Sequence, residues 1–186
     1  DGSYQIRTRI SDGNSVVEVE NASKTSGANV QQWGANGNDC QNWTLKEFGD
    51  GYYYILSRLG DGKTYYLDVA EGKGDDGTNI QIFTNTKTSA QLFKFIPNPD
   101  GTYYIVTRAS KDKGALGIAA ASKEQGANVL QWTKNGSMDQ MWNITAIGAI
   151  PTPVTTTEPP VVTTEAPIET TTAAPVLTTE APTETT

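Results

Sequence analysis

The sequence predicts an all-β body closed around a pseudo-threefold axis. Three four-stranded repeats fill residues 1–148, at about 1–50, 51–100 and 101–148, and a disordered linker follows over 149–186. Three observations predict this. One phrase occurs three times: Gly27-Ala28-Asn29-Val30-Gln31-Gln32-Trp33, Gly77-Thr78-Asn79-Ile80-Gln81-Ile82-Phe83 and Gly126-Ala127-Asn128-Val129-Leu130-Gln131-Trp132, with the glycine displaced by 50 and then 49 positions. Each copy ends on a second aromatic ten residues later, in Gln41-Asn42-Trp43, Gln91-Leu92-Phe93 and Gln140-Met141-Trp142. Self-similarity at such a fixed period marks a repeat architecture. Third, composition breaks at Pro151: residues 151–186 carry seven of the nine prolines and five glutamates, and no Gly, aromatic, Lys or Arg. Such a segment buries too little apolar surface to offset the entropy of ordering it.

Taken in order, each repeat holds four short β-like runs. The first is Tyr4-Gln5-Ile6-Arg7-Thr8-Arg9, matched by Tyr53-Tyr54-Ile55-Leu56-Ser57-Arg58 and Tyr103-Tyr104-Ile105-Val106-Thr107-Arg108. The second is Val17-Glu18-Val19, Leu67-Asp68-Val69 and Leu116-Gly117-Ile118. The third is the repeated phrase itself, and the fourth starts at Trp43, Phe93 and Trp142, beside Leu45, Phe95 and Ile144. Turn-rich stretches such as Ser11-Asp12-Gly13-Asn14 and Asn98-Pro99-Asp100-Gly101 separate the runs. A 3.6-residue apolar period is absent; Ala119–Glu124 has helix-forming composition for one turn, where the other copies read as loop. Three such units imply closure, which removes exposed strand edges. Trp43, Phe93 and Trp142 then form a central aromatic core, and Arg9, Arg58 and Arg108 play one structural part three times.

Charge and composition exclude several functions. Of the formal net charge of −7, the tail glutamates account for −5, leaving −2 for the repeats and no basic footprint for nucleic acid or an anionic membrane. No stretch is long and apolar enough to span a bilayer. The chain has no His, the commonest general base and transition-metal ligand, so no cofactor or metal is expected. The single Cys40 forms no intrachain disulfide and reads as an unreactive pocket-lining residue. A Thr/Pro/Glu linker and a start at Asp1 fit a secreted, multimodular parent protein and a monomeric module.

The repeats resemble the ricin-type β-trefoil lectins, whose units end in Gln-x-aromatic, and look closest to bacterial family 13 carbohydrate-binding modules. The resemblance covers residues 1 to about 148 and implies a β-trefoil that binds sugar without catalysis. Modules of this kind are commonly tethered to enzymes that degrade plant polysaccharides.

Strand alternation sorts the candidate ligand contacts. Ile80 and Ile82 share one face, so Gln81 and Phe83 share the other; Asp68 opposes Leu67 and Val69. In the first copy Glu18 opposes Val17 and Val19, and Gln31 and Trp33 oppose Val30. An aromatic ring covers the apolar face of a pyranose, and a carboxylate accepts its hydroxyls in charge-assisted hydrogen bonds. The alternative is that these rings pack over strand ends and the acids serve turns. Residue by residue, the resemblance implies sugar contacts at Asp68, Gln81, Phe83 and Gln91 in the second copy, with Ala90 at a position the family usually fills with Asn. In the first copy they are Glu18, Gln31, Trp33 and Gln41, with Cys40 at that position. The third keeps Trp132, Asp139 and Gln140 but has Gly117 for the acid and Leu130 for the first Gln.

The expected partner is a polysaccharide: xylan, arabinoxylan, arabinan or galactose-bearing side chains. Two other classes compete. A glycosidase needs two carboxylates flanking one cleft, whereas Glu18 and Asp68 lie in different repeats. A protein-binding or inhibitor trefoil would use exposed loops, leaving the repeated acid–aromatic faces unexplained.

Overall fold

The computed structural model describes residues 2–148; the linker expectation over 149–186 lies outside the described residues. Twelve strands follow in chain order: β1 (Gly2–Thr8), β2 (Ser15–Val19), β3 (Ala28–Gly34), β4 (Trp43–Gly49), β5 (Tyr52–Ser57), β6 (Tyr65–Val69), β7 (Thr78–Thr84), β8 (Phe93–Pro97), β9 (Tyr103–Thr107), β10 (Gly114–Ile118), β11 (Val129–Thr133) and β12 (Trp142–Ala146). Four strands per repeat is the predicted number.

Six of them close a ring. β1 pairs with β4, β4 with β5, β5 with β8, β8 with β9, β9 with β12, and β12 returns to β1. The threefold register is visible in the pairing: Tyr4 faces Trp43, Tyr53 faces Phe93, and Tyr103 faces Trp142. The other six strands form the hairpins β2–β3, β6–β7 and β10–β11, which cap one end of the barrel. β7 pairs with both β3 and β11, and a single bridge joins Gln31 to Asn128, so the hairpins also meet around the axis. This is the β-trefoil that the repeats predicted.

Trp43, Phe93 and Trp142 are fully buried, as expected. Burying an indole also buries its N–H, and each tryptophan resolves this on the adjacent hairpin: Trp43 Nε1 donates to Val17 O at 3.0 Å and Trp142 Nε1 to Leu116 O at 3.1 Å. Val17, Leu67 and Leu116 complete the core from the hairpins, and Ile6, Ile55 and Ile105 from the barrel strands.

Two expectations change. The short helical turn at Ala119–Ala121 is not peculiar to the third copy. A 3-10 turn recurs at Glu20–Ala22 and Ala70–Gly72, each with a central residue at positive φ: Asn21 at 54°, Glu71 at 57° and Ala120 at 53°. Hairpin geometry imposes this turn; composition did not signal it, because Ala and Glu have no preference for that conformation. The arginines do share a backbone role, with Arg9, Arg58 and Arg108 N–H donating to Met141, Asn42 and Leu92 carbonyls at 2.9–3.0 Å. Their side chains diverge: Arg9 approaches Asp100, Arg58 donates to Ser3 Oγ, and Arg108 lies over the Tyr52 ring.

Candidate functional site

Each capping hairpin presents one acid position on its first strand and one aromatic on its second. Strand pairing sets Glu18 opposite Gln31 and Asp68 opposite Gln81. The alternation read from the sequence holds: Val17, Val19, Val30, Leu67, Val69, Ile80 and Ile82 point into the core, and the acid, amide and ring lie on the other face.

In the second repeat, Gln81 Nε2 donates to Asp68 Oδ1 at 2.9 Å. Asp68 is only 4% exposed. Burial pushes its carboxyl above the ordinary value of 3.8, and hydrogen bonds from Gln81 and Gln91 partly offset that. The acid opens onto a cavity of about 550 Å³, bordered by Gln81, half-buried Phe83 and Ala90. Thr86, Thr88 and Ser89, from the loop after β7, form the rest of its wall with Glu71 and Gly72. The sequence reading missed these loop residues; the polar run Thr84–Ser89 directly after the aromatic was the available signal. Glu71 brings a second carboxylate, but it is tied to Lys73 Nζ at 2.8 Å on the surface.

In the first repeat the longer Glu18, 6% exposed, is drawn fully into amide partners. Gln31 Nε2 donates to Oε1 at 3.0 Å and Gln41 Nε2 to Oε2 at 2.9 Å. Cys40 Sγ lies 3.9 Å from Oε2, and its thiol is pushed up by burial and by the Glu18 charge, which makes it a poor nucleophile. Trp33 is 38% exposed beside this acid.

Gln41, Gln91 and Gln140 are fully buried beneath the sites. Each clamps the loop after the aromatic: Nε2 donates to the carbonyl of Gly34, Thr84 or Thr133, and Oε1 accepts from the N–H of Asn36, Thr86 or Asn135. They therefore position the loop and the acid from behind and offer a ligand no exposed surface.

The third repeat carries a substitute for its missing acid. A Cβ added at Gly117 would fall 3.1 Å from Asp139 Oδ2, so the Asp139 carboxylate lies against the strand position that carries an acid in the other two repeats. Trp132 is 45% exposed. Leu130 supplies no amide.

Adjacent repeats complete one another's sites. Gly126, at φ +82°, sits against the Trp33 ring, and Gly77, at φ +81°, against the Trp132 ring, each with 3.7 Å between the ring and the position of an added Cβ. Gln32 and Gln131, which the sequence reading left without a role, do the same with hydrogen bonds. Gln32 Nε2 donates to Ser122 and Glu124 carbonyls, and Gln131 Nε2 to Lys73 and Asp75 carbonyls. The Asp75-Asp76 loop is a turn: Asp76 accepts from Thr133 Oγ1 at 2.9 Å.

The family model for ricin-type beta-trefoil lectin domain-like sequences matches this chain at residues 1–83, 60–132 and 89–152. The chain belongs to this family. Three solved structures are similar to this fold. The designed threefold-symmetric protein ThreeFoil is 35% identical, with a TM-score of 0.73 over 79% of this chain and 100% of its own. The exo-beta-1,3-galactanase 1,3Gal43A from Clostridium thermocellum is 28% identical at a TM-score of 0.71; 78% of this chain is covered, but only 30% of the galactanase. The earthworm R-type lectin C-half in complex with GalNAc, at 19% identity and a TM-score of 0.60, covers 79% of the chain and 100% of its own and shows the fold alone. No curated protein matches the chain.

Proposed function

We propose that this ricin-type trefoil is a non-catalytic carbohydrate-binding module, secreted and monomeric, that targets an attached enzyme to plant cell-wall polysaccharide. The observation that carries the reading is the acid–amide–aromatic group built twice on equivalent hairpins: Asp68 with Gln81 and Phe83, and Glu18 with Gln31 and Trp33. In each, a hydrogen-bonded amide holds a buried carboxylate beside an accessible ring. That arrangement suits a sugar, whose hydroxyls need a fixed acceptor and whose C–H face needs an aromatic surface.

The geometry supports binding rather than hydrolysis. A glycosidase opposes two carboxylates across a scissile bond. Here Asp68 is flanked by amides, and the nearby Glu71 is held by Lys73. The second repeat is the stronger site, since its acid opens onto the cavity of about 550 Å³. The first is weaker or takes a different unit of the same chain. The third, with Trp132 and Asp139 in front of the buried Gln140 but no strand amide, contributes least.

The ligand is a hemicellulose such as xylan or arabinoxylan, or an arabinan or galactose-bearing side chain. Galactose-bearing ligands and a glycoside-hydrolase parent gain support from the exo-beta-1,3-galactanase, 30% of which aligns with this chain at 28% identity. The family 13 module resemblance supports the plant-polysaccharide class, and the Thr/Pro-rich residues 151–186 supply the tether. Affinity electrophoresis through gels containing each polysaccharide tests the proposal. Two sites on one polymer raise the effective affinity by up to about 10²–10⁴. A folded Trp33→Ala, Phe83→Ala double variant should therefore lose retention far beyond either single variant. Unchanged migration of the double variant refutes the assignment, and release of reducing ends by the parent protein refutes the non-catalytic reading.

A further inference from the structure

The end of the barrel opposite the capping hairpins is open, and a cavity of about 790 Å³ enters it. Its wall repeats with the threefold. Tyr4, Tyr53 and Tyr103 lie at one level and Leu45, Phe95 and Ile144 at another, all half-buried. Two residues further along the tyrosine strands, the fully buried Ile6, Ile55 and Ile105 form the packed interior. The mouth stays open partly because glycine stands at its edge. Tyr4 lies across Gly2, where a Cβ would fall 2.7 Å from its hydroxyl oxygen, and Gly51 adopts φ +75° in the turn before β5.

Three of the wall rings are contiguous: Tyr53 and Phe95 meet edge to face at 5.7 Å between centroids, and Phe95 and Tyr103 at 6.3 Å. Charge at the mouth is one-sided. Glu47 is the one acid among the described lining residues, exposed on the last turns of β4. Lys94 is the one base there, but its ammonium is turned toward Asp112 Oδ2 at 3.4 Å and lies over the Tyr52 ring at 4.2 Å. What remains is an aromatic and aliphatic cup with an uncompensated carboxylate on its rim. The volume is in the range of small-molecule sites. Aromatic faces with an acid favour a cation carrying an apolar body.

We propose that the open barrel end is a second binding site, separate from the hairpin sites, for a small organic ammonium ion with an apolar or aromatic body. The ammonium sits between the tyrosine rings and Glu47, and the body fills the cup against Leu45, Phe95 and Ile144. This site is independent of the carbohydrate reading: it uses no residue of the hairpin faces.

The test is an NMR titration of the full chain with benzyltrimethylammonium, in parallel with 4-tert-butylbenzyl alcohol as a neutral analogue of similar size. The cation should shift backbone amides of β1, β5, β8 and β9 and leave β6 and β7 unmoved. Glu47→Gln, a rim change that the fold tolerates, should weaken the cation about two- to fivefold, the scale of an exposed charge pair, without altering the response to the alcohol. Phe95→Leu keeps the wall apolar and should weaken the cation about threefold or more by removing one ring. A Trp33→Ala, Phe83→Ala variant should bind the cation as the parent does. The proposal is overturned if the alcohol binds as tightly as the cation, if Glu47→Gln leaves the cation affinity unchanged, or if the shifts map to the hairpins.

Discussion

Asp68→Asn separates binding from folding more cleanly than any other change in the candidate site. The substitution keeps the shape of the side chain, and its amide oxygen still accepts from Gln81 Nε2, which donates at 2.9 Å in the parent. What disappears is the charged acceptor facing the cavity. A hydrogen bond to a charged group contributes about 1.5–3 kcal/mol, so sugar affinity at this site should fall by about 10- to 150-fold. Stability should move the other way or not at all. Burial raises the folded-state pKa of Asp68 above 3.8. A raised carboxyl contributes stability that is fully present below the unfolded value and is lost as pH rises through the folded value, so the ionised group is a cost at neutral pH. Asparagine removes that cost. On the proposed reading binding follows the opposite slope: if sugar hydroxyls donate to the ionised acid, affinity should decline as pH falls through the raised value, and in the variant this decline should vanish. Isothermal titration with an oligosaccharide of the retained polysaccharide, run from neutral to acid pH, reads the affinity, and thermal melts read the stability. Unchanged affinity refutes the role of Asp68. A loss of affinity accompanied by a lower Tm refutes the separation, and assigns Asp68 to the fold.

Three further outcomes are expected. Trp142→Ala empties a fully buried ring position and breaks the bond to Leu116 O, so it should cost about 3–5 kcal/mol in chemical denaturation. Deleting residues 151–186 should leave polysaccharide affinity intact, as measured in the same gels. Gln91→Ala removes the brace between Thr84 and Thr86 and should weaken binding while increasing hydrogen exchange in the Thr84–Ser89 loop; weakened binding with an unaltered loop would instead indicate direct contact.

The fold was legible because three copies of each signature constrain one another. Trp43, Phe93 and Trp142 could be placed in the core from their threefold repeat and the apolar residues beside them, and strand alternation assigned Asp68, Gln81 and Phe83 to one face. What stayed hidden depends on contacts between repeats. Gln32 and Gln131 occupy the register position of Ile82, an inward one, and read as misplaced polar residues until the neighbouring loop carbonyls appear beside them. The rank of the three terminal glutamines was also hidden, because alternation does not extend through a 3-10 turn and so cannot tell a ligand contact from a brace behind it. Asp139 shows the same limit: its carboxylate reaches the space above Gly117 from a different element, and a one-dimensional comparison of acids records only a gap.

The ring of six strands has a consequence for how the molecule comes into being. Its seam joins β1 to β12, the first and last of the described strands, through five paired positions from Tyr4–Ala146 to Thr8–Trp142. Contacts so distant along the chain form slowly, since a long loop must close before they repay its entropy. During synthesis, β1 emerges with neither its final neighbour nor the third ring of the core, and its apolar face has to wait exposed until Trp142 arrives. Truncation inside β12 would therefore not trim an end but open the barrel along its whole length. A stop codon within β12 should produce an aggregating chain rather than a slightly weaker lectin.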